Sequence, residues 1–425
     1  MKRLLFTLLA MACAITAHAQ SLDECRRLAR EHYPAIRQYD LINQTEQFNL
    51  SNAARAWIPQ ISVSAQATYQ SATPTYPEAF SAILQANGID MAGIRNDQYK
   101  VAVDISQNIW DGGQSKANSA IAKAEAEEQR SSLDVSLYDL QSRVDDLYFG
   151  ILLLDERMVQ TEALIAILDS NYKRMQTYYN NGVATQADVD AIEAELLTAK
   201  QTLGQVESAR TSYRRMLEVF IGQPLQSEPL ERPAMRELAS RTSARPELDM
   251  FDAKANKLAA QREAINTSVM PRFSAFVQGY YGYPGMDMFR SMMNTEWTPN
   301  AIVGVRMSWN IGAFYTKKNN LSKLRVAEEQ IAVERDIFLF NTEMQTTQED
   351  GEIARLRKAL EDDDRIVELR RRVRIAAESQ LEHGVIDATD LLRKITEETN
   401  AMLNRSTHEI ELLQATYRLK TTLNQ

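Results

Sequence analysis

Cysteine and histidine are both scarce in this sequence of 425 residues. Of the two cysteines, Cys13 and Cys25, only Cys25 lies outside the first 19 residues, so the rest of the chain offers it no partner for a disulfide. We expect Cys25 to be a buried small hydrophobic residue. His32, His383 and His408 lie far apart in the sequence and none belongs to a His-Glu-x-x-His pattern, so we expect no metal site.

The sequence also lacks the motifs of nucleotide-binding and hydrolytic enzymes. No Walker loop, dinucleotide fingerprint or Gly-x-Ser-x-Gly elbow occurs in it. We therefore predict a protein that is not an enzyme and that uses no cofactor. The chain has 48 Lys and Arg against 57 Asp and Glu, a formal net charge of −9, and this acidic balance argues against nucleic acid as a partner.

Residues 1–19 have the pattern of a cleaved export signal. Two basic residues precede an apolar run over residues 4–15, and a small-x-small pattern ends at Ala19. A lipoprotein acylated at Cys13 is a weaker alternative, because the residue three places before it is not Leu. After residue 19 no apolar run reaches the length of about 18 residues that a membrane-spanning helix needs. Any membrane-crossing segments are therefore expected to be strands.

The chain contains an internal two-fold repeat. Pro34, Pro59, Val101, Asn108 and Gly182 recur as Pro246, Pro271, Val303, Asn310 and Gly384, at separations of 212, 212, 202, 202 and 202 residues. The change in separation falls between Pro59 and Val101, which predicts two copies of one structural unit and one shortened loop. We predict a first repeat at 20–221, an irregular linker at 222–245 and a second repeat at 246–425.

Four segments alternate apolar and polar residues with period two, which is typical of β-strands. We predict strands at about 60–70, 99–110, 272–283 and 301–311. Strands of roughly this length cross a membrane at a tilt, and aromatic residues near their ends resemble those at membrane interfaces. The alternative is a soluble sandwich. Four strands cannot close a barrel without free edges, so we expect the protomer to oligomerise.

Two long helical hairpins are predicted from heptad patterns. Apolar residues recur every seven positions from Leu137 to Tyr179, as in a coiled-coil seam. The pattern resumes after a glycine turn, which predicts an antiparallel hairpin over about 115–221. Its first helix would be on the order of 100 Å long. A second hairpin is predicted at about 315–424, with a weaker seam whose apolar phase slips by one residue near Ile366.

A set of short motifs then occurs in the same order as in a known family. They are Leu22-Asp23-Glu24-Cys25, Trp57-Ile58-Pro59, Asn108-Ile109-Trp110-Asp111-Gly112-Gly113, Tyr179-Asn180-Asn181-Gly182, Ser308-Trp309-Asn310-Ile311, and Gly384 followed by Asp390-Leu391. Singly each motif is weak, but together, in order and duplicated, they are specific. Over essentially the whole chain after the export signal, the sequence resembles the TolC family of outer-membrane efflux proteins.

The resemblance implies an α+β membrane protein. Three protomers, each with four strands, would form one trimeric 12-stranded β-barrel in the outer membrane of a Gram-negative bacterium. The barrel would continue into a periplasmic tunnel made of long α-helical coiled coils.

The resemblance also implies function and partners. The expected function is a passive outer-membrane exit duct of a tripartite efflux pump that carries small molecules. The implied partners are a periplasmic adaptor (membrane fusion) protein, an inner-membrane pump of RND or ABC type, and outer-membrane lipid. An outer-membrane channel for type I protein secretion stays as an alternative. A secreted coiled-coil protein with a structural or adhesive role is a further one.

Two groups of site residues follow from the resemblance. The hairpin tips, with Tyr179, Gly182, Val183, Gly384 and Val385, are the expected docking points for the adaptor. Glycine is expected there because a tight turn at a helix end favours left-handed backbone.

The second group is a periplasmic gate. Asp390 matches the first of two aspartates that ring the narrow tunnel entrance in the family and interact with cations, but Arg393 stands at the position of the second. The family pattern implies an acidic ring, whereas a pair of Asp390 with Arg393 predicts salt bridges between protomers. An ordinary carboxylate in the first turn of a helix is the third possibility.

Overall fold

The structure of the protein is a computed structural model that describes residues 21–89, 93–225, 229–235 and 241–424. The predicted signal peptide and the alternative acylation site at Cys13 lie outside the described residues.

Nine α-helices, one short 3₁₀-helix (Pro34–Arg37) and four strands occur in the described residues. The first half contains α1 (Leu22–His32), α2 (Gln38–Arg55), β1 (Gln60–Tyr69), α3 (Glu78–Ala86), β2 (Asp97–Trp110), α4 (Gln114–Asn180) and α5 (Gln186–Ile221). The second half contains α6 (Pro246–Ser268), β3 (Arg272–Tyr283), α7 (Met288–Met293), β4 (Thr298–Ser308), α8 (Ala313–Glu382) and α9 (Ala388–Leu423). From α2 and from α6 onward the order is the same: helix, strand, short helix, strand and two long helices. None of the helices in these described ranges is both long and apolar enough to cross a membrane.

One compact unit, here called the sheet unit, comprises Asp40–Arg130 and Phe251–Val333. Its four strands form one antiparallel sheet in the order β1-β2-β3-β4. One row across this sheet consists of Ile61, Ile105, Val277 and Val303. Because side chains alternate with period two, this register puts the apolar positions of all four strands on one face. Pro59 and Pro271 directly precede β1 and β3, where a missing N–H does not interrupt the ladder.

The other compact unit, here called the hairpin unit, comprises the described residues up to Tyr39, Ser131–Met250, and Glu334 onward. Its largest buried cluster joins residues of α1, α4, α5 and α9. Val144, Tyr148 and Phe149 of α4 are almost completely buried in it, and so is Cys25, as the sequence predicts.

A buried ion pair lies in the same unit. The guanidinium of Arg26 donates to both carboxylate oxygens of Asp145, at 2.7 and 2.6 Å. Asp145 also accepts a longer hydrogen bond, of 3.4 Å, from the hydroxyl of Thr421. Burial raises the pKa of Asp145, and the hydrogen bonds from Arg26 and Thr421 oppose this shift. The pair therefore carries a desolvation cost that only its paired geometry offsets.

The segment predicted as an irregular linker has neither helix nor strand in its described part, residues 222–225, 229–235 and 241–245. It is nevertheless held against the hairpin unit. The hydroxyls of Tyr148 and Tyr417 donate to backbone carbonyls of the segment at 2.6 and 3.2 Å. Its residues Leu225 and Leu230 are buried in the main cluster. The segment is thus a packed part of the core.

Some local features differ from the sequence-based expectation. The connections after β1 and β3, where the sequence predicts no helix, contain the short helices α3 and α7. In the acidic run that begins at Glu361, Asp363 is buried. Its carboxylate oxygen lies 2.7 Å from Nδ1 of His408 on α9, and Asp364 pairs with Arg405 of the same helix at 2.6 Å. These charges therefore connect the two helices of the second hairpin.

Candidate functional site

The first hairpin tip is a tight turn after α4. Gly182 has a left-handed backbone, with φ of +71°. Its N–H donates to the carbonyl of Tyr179 and the N–H of Val183 donates to the carbonyl of Tyr178, both at 2.9 Å. These two bonds form a Schellman motif, which satisfies carbonyls that a helix end leaves free. A Cβ added at Gly182 would meet nothing within 4 Å, so the backbone angle and not a lack of space favours glycine.

The second tip has the same arrangement after α8. Gly384 has φ of +69°. Its N–H donates to the carbonyl of Leu381 at 3.0 Å, and the N–H of Val385 donates to the carbonyl of Gln380 at 2.9 Å. An added Cβ again meets open space. The structure thus places the two predicted glycines in equivalent turns.

Each tip presents apolar side chains to solvent. Val183 is 75% exposed and Val385 is 69% exposed, and both directly follow the turn glycine. Tyr179 is also exposed, one turn before Val183. Exposed apolar groups at the end of a hairpin are suited to contact with another protein. The docking assignment of these residues remains a prediction.

The helices that leave the tips begin with side-chain caps. Thr185 and Asp188 form a reciprocal capping box at the start of α5. At the start of α9, the Asp387 carboxylate accepts a hydrogen bond of 2.8 Å from the backbone N–H of Asp390. Asp387 is therefore the capping residue, and it leaves the carboxylate of Asp390 available for other contacts.

The predicted gate residues contact each other within one helix. A guanidinium nitrogen of Arg393 donates to Oδ1 of Asp390 at 3.1 Å, and both side chains are exposed. This is a pair one helical turn apart on α9. An exposed pair of this kind contributes only about 0.3 to 0.5 kcal/mol within one chain. The cost of reorienting either side chain toward a neighbouring protomer is correspondingly small.

Close to the tips the two hairpins pack against each other. One buried cluster contains Leu168 of α4, Leu196 of α5 and Leu391 of α9. A smaller one, nearer the turns, contains Met175 and Val189. The structure also shows an ion pair between the two hairpins: Arg174 on α4 pairs with Glu382 on α8 at 3.2 Å. Pairings this far apart in the chain leave no periodic signal in the sequence.

The sheet unit supplies a second surface. On the apolar face of the sheet the side chains are exposed, and Val63 and Val303 reach 70% and 78% exposure. Other exposed members of this face are Ile61, Val101, Val103, Ile105, Val277, Tyr281, Val305 and Met307. A contiguous exposed apolar face of this size marks an interaction surface for lipid or protein.

Aromatic pairs lie near both ends of this face. Trp297 stacks on Tyr99 with ring centroids 6.1 Å apart and also contacts Tyr281 at 5.5 Å. At the other end of the strands, Trp110 contacts Phe273 at 5.9 Å. Two aromatic bands flanking an apolar band are the arrangement of proteins at membrane interfaces.

The opposite face of the sheet is polar. Lys100 donates to the amide oxygen of Gln278 at 3.1 Å, and the amide nitrogen of Gln278 donates to Asp104. Arg306 lies over the ring of Phe276, 4.6 Å from its centroid. Within the described ranges, no group of three or more His, Cys, Asp or Glu side chains is arranged to hold a metal ion.

Residues 26–223 match the sequence model of the family described as outer membrane efflux protein. No curated protein matches the chain. The outer membrane protein VceC of Vibrio cholerae shares the fold with a TM-score of 0.70 at 13% identity, over 95% of each chain. The CmeC outer membrane channel of Campylobacter jejuni has a TM-score of 0.67 at 12% identity, over 95% of this chain and 86% of CmeC. The open state of the MtrE outer membrane channel of Neisseria gonorrhoeae has a TM-score of 0.65 at 15% identity, over 95% of this chain and 88% of MtrE.

The exposed apolar face of the sheet and the long helical hairpins are features expected of an outer-membrane channel, and the family match and the shared fold indicate the same class. Residues 26–223 match the outer membrane efflux protein family and the chain shares the fold of these outer-membrane channels, so the resemblance to the TolC family is confirmed. Its location is the outer membrane of a Gram-negative bacterium, with an extension into the periplasm.

Proposed function

We propose that three copies of the chain form the passive outer-membrane exit duct of a tripartite efflux pump for small molecules. The observation that carries this proposal is the sheet. Its apolar face is exposed along all four strands, and β1 and β4 each pair with a neighbour on one side only. Hydrocarbon accepts the apolar face but not a free strand edge. Three copies joined β4 to β1 would close a barrel of twelve strands.

The long helices support the same assembly. On α8, Ile366, Leu369 and Val373 are all exposed, with spacings of three and four residues. This spacing places them on one face of the helix as an apolar stripe. In a tunnel of packed hairpins, helices of a neighbouring protomer would cover such a stripe. The slipped heptad pattern of the second hairpin then reflects contacts between protomers.

Each proposed partner is matched to a feature of the chain. The exposed apolar residues at the two tips, Val183 and Val385 with Tyr179, are the proposed contacts for a periplasmic adaptor. An inner-membrane pump of RND or ABC type would supply the energy, and outer-membrane lipid would cover the apolar face of the barrel. Asp390 and Arg393, just after the second tip, are the proposed gate.

The duct is tested by reconstitution of the full chain. Purified protein in a planar lipid bilayer is expected to give stepwise conductance, and expression in cells that lack their own efflux channel is expected to restore export by a compatible pump and adaptor. Stable protein that inserts into lipid but neither conducts nor restores export would contradict the duct. Protein that extracts from cells without detergent would contradict residence in the membrane.

A further inference from the structure

The polar face of the sheet carries few charges, and they are unevenly paired. Four charged side chains lie on it: Lys100, Asp104, Arg272 and Arg306. The face thus has a net charge of +2 in a chain whose overall formal charge is −9. The polar face of the sheet is thus positively charged although the chain as a whole is acidic.

Two of these four charges are of opposite sign and cancel in the net charge of the face. Lys100 and Asp104 are four residues apart on β2, and both contact the side chain of Gln278 on the neighbouring strand. The amide of Gln278 thus lies between the ammonium and the carboxylate, and both charged groups are held by hydrogen bonds. Arg272 and Arg306 are then the remaining cations of the face.

Arg272 and Arg306 have no carboxylate partner among the described residues. Arg306 rests on Phe276, and Arg272 reaches only the amide oxygen of Gln114 at 3.4 Å. The ladder pairs Arg272 with Ser308 and Arg306 with Ser274, so the two arginines are diagonal neighbours on one face. Diagonal neighbours of this kind lie about 7 to 8 Å apart.

Asp111, the residue directly after β2, is also held by hydrogen bonds and does not pair with an arginine. Asp111 is buried, and its carboxylate accepts hydrogen bonds of 2.9 and 2.7 Å from the backbone N–H groups of Gly113 and Ser115. It caps the start of α4 and is not directed to an arginine side chain.

Closing the barrel does not add a carboxylate on the strands. In the proposed assembly, β4 of one protomer pairs with β1 of the next. The segment Gln60–Tyr69 that forms β1 contains no charged residue at all. The arginine on β4 would therefore still face the lumen without an acidic neighbour on the adjacent strand.

We propose that Arg306, together with Arg272, forms a cationic ring inside the barrel that favours the passage of anionic solutes. This inference rests on the proposed function, because only a closed barrel with its apolar face in lipid turns the polar face toward a lumen. A guanidinium binds carboxylate and phosphate groups through two parallel hydrogen bonds. When the walls of a pore have a low dielectric constant and carry one sign of charge, they concentrate the electric field in the pore. The local concentration of oppositely charged solutes then rises. Arg306 is then a residue that determines the charge selectivity of the duct.

The test is the reversal potential in a planar bilayer with a gradient of potassium chloride, measured for the full chain and for R306Q, R306E and R306K. The wild-type channel is expected to prefer chloride. R306E is expected to lower the chloride-to-potassium permeability ratio by roughly threefold or more, with R306Q between the two. R306K keeps the charge and is expected to keep the preference. Block by inorganic tripolyphosphate should weaken in the same order.

R27Q is the matched control, because Arg27 is an exposed arginine of the hairpin unit that pairs with Glu31 at 3.0 Å. It removes the same charge and is expected to leave the permeability ratio unchanged. Conducting channels with the same ratio in wild type, R306Q and R306E would overturn the inference and leave the duct intact. A wild-type protein that forms no conducting channel would instead contradict the proposed function on which the inference rests.

Discussion

Gly182 and Gly384 lie 202 residues apart and have nearly the same left-handed backbone, with φ of +71° and +69°. The residue after each glycine donates its N–H to a carbonyl five positions earlier, at 2.9 Å in both turns. The two hairpins therefore end in the same turn and present Val183 and Val385 in equivalent positions. Any partner that recognises one tip meets a similar surface at the other.

Replacing Gly182 or Gly384 by valine is expected to abolish export while the protein stays assembled in the membrane. A β-branched residue in left-handed backbone costs about 1 to 2 kcal/mol, which the long hairpin tolerates, but the turn and its exposed valine would be displaced. Asparagine accepts this backbone more readily, so G182N and G384N are expected to export better than the valine variants. Efflux and the amount of protein in membranes are measured together.

G204V is the control for the tip variants. Gly204 lies within α5, also has open space around it, and has no left-handed backbone. It is expected to export normally. Normal export from both G182V and G384V would show that the tips are not docking points.

Charge reversal at Asp390 or Arg393 is expected to raise the conductance of the reconstituted channel and to admit large antibiotics into cells. If the two residues pair between protomers near a narrow entrance, each single reversal brings like charges together at low dielectric, where repulsion is larger than on an open surface. The double variant D390R with R393D restores opposite charges and is expected to close the channel again.

Further variants separate the other two interpretations of the gate, an acidic ring and an ordinary carboxylate. An unpaired aspartate ring predicts that D390A weakens block by cations while Arg393 variants have little effect. Reversal of Arg372, which pairs with Glu368 on the exposed surface of α8 at 3.6 Å, is the control and should not change conductance. Unchanged conductance and cation block in all Asp390 and Arg393 variants would leave Asp390 as a carboxylate of the first helical turn only.

Cys25 is expected to be unreactive in the folded protein. Burial, with a smaller contribution from the charge of Glu24, raises the pKa of its thiol to about 12. The thiolate is the reactive form, so almost none is available near pH 8. A thiol-reactive dye should label Cys25 only after denaturation. Rapid labelling of folded protein would show that the core around α1 opens readily.

E349Q is expected to stabilise the protein increasingly as pH rises above the ordinary pKa of a glutamate, about 4.3. Burial raises the pKa of Glu349, whose Oε1 accepts hydrogen bonds from Thr422 and Gln345 at 2.9 and 3.0 Å. The folded state therefore holds the proton more tightly than the unfolded state. This contribution is present at low pH and is lost as pH rises through the folded-state pKa. Glutamine stays neutral and avoids that loss.

The melting temperature of the purified protein, followed by circular dichroism as a function of pH, measures this effect. Glu352, three residues further along α8, is the control. Its pKa is lowered by the hydrogen bond from Arg355, so E352Q is expected to give no gain at neutral pH. Equal melting temperatures of E349Q and wild type at every pH would show that burying the ionised carboxylate of Glu349 does not destabilise the folded protein.

Much of the fold follows from sequence periodicity. Alternation with period two over Ile61–Tyr69 predicts the strand that the structure shows as β1, because every second residue faces one side of the sheet. The short helices α3 and α7, of 9 and 6 residues, were missed because so few positions cannot display a helical period. β4 begins and ends three residues earlier than expected. Beyond its end, the indole of Trp309 donates to the carbonyl of Val269 at 2.9 Å, which directs the chain away from the ladder.

The polar contacts were less accessible to sequence reasoning. The burial of Asp363 depends on His408, which is 45 residues away on another helix, and no local pattern marks that pairing. Arg306 looks like an ordinary polar position of a strand until the register shows that the strands beside it offer no carboxylate. Tip glycines are recognisable because the backbone requirement is local. The contacts that surround a charge are set by the fold.

In the proposed assembly, β4 of one protomer pairs with β1 of the next until three chains close. The most direct test places one cysteine in each edge strand, V63C and V303C, in a C25S background and treats the protein in membranes with a short bismaleimide. The control pair I105C and V277C lies on directly opposed positions of β2 and β3 and should crosslink only within a chain. We expect a ladder of covalent products that stops at three chains. Monomer alone, or a ladder that continues past three, would contradict it.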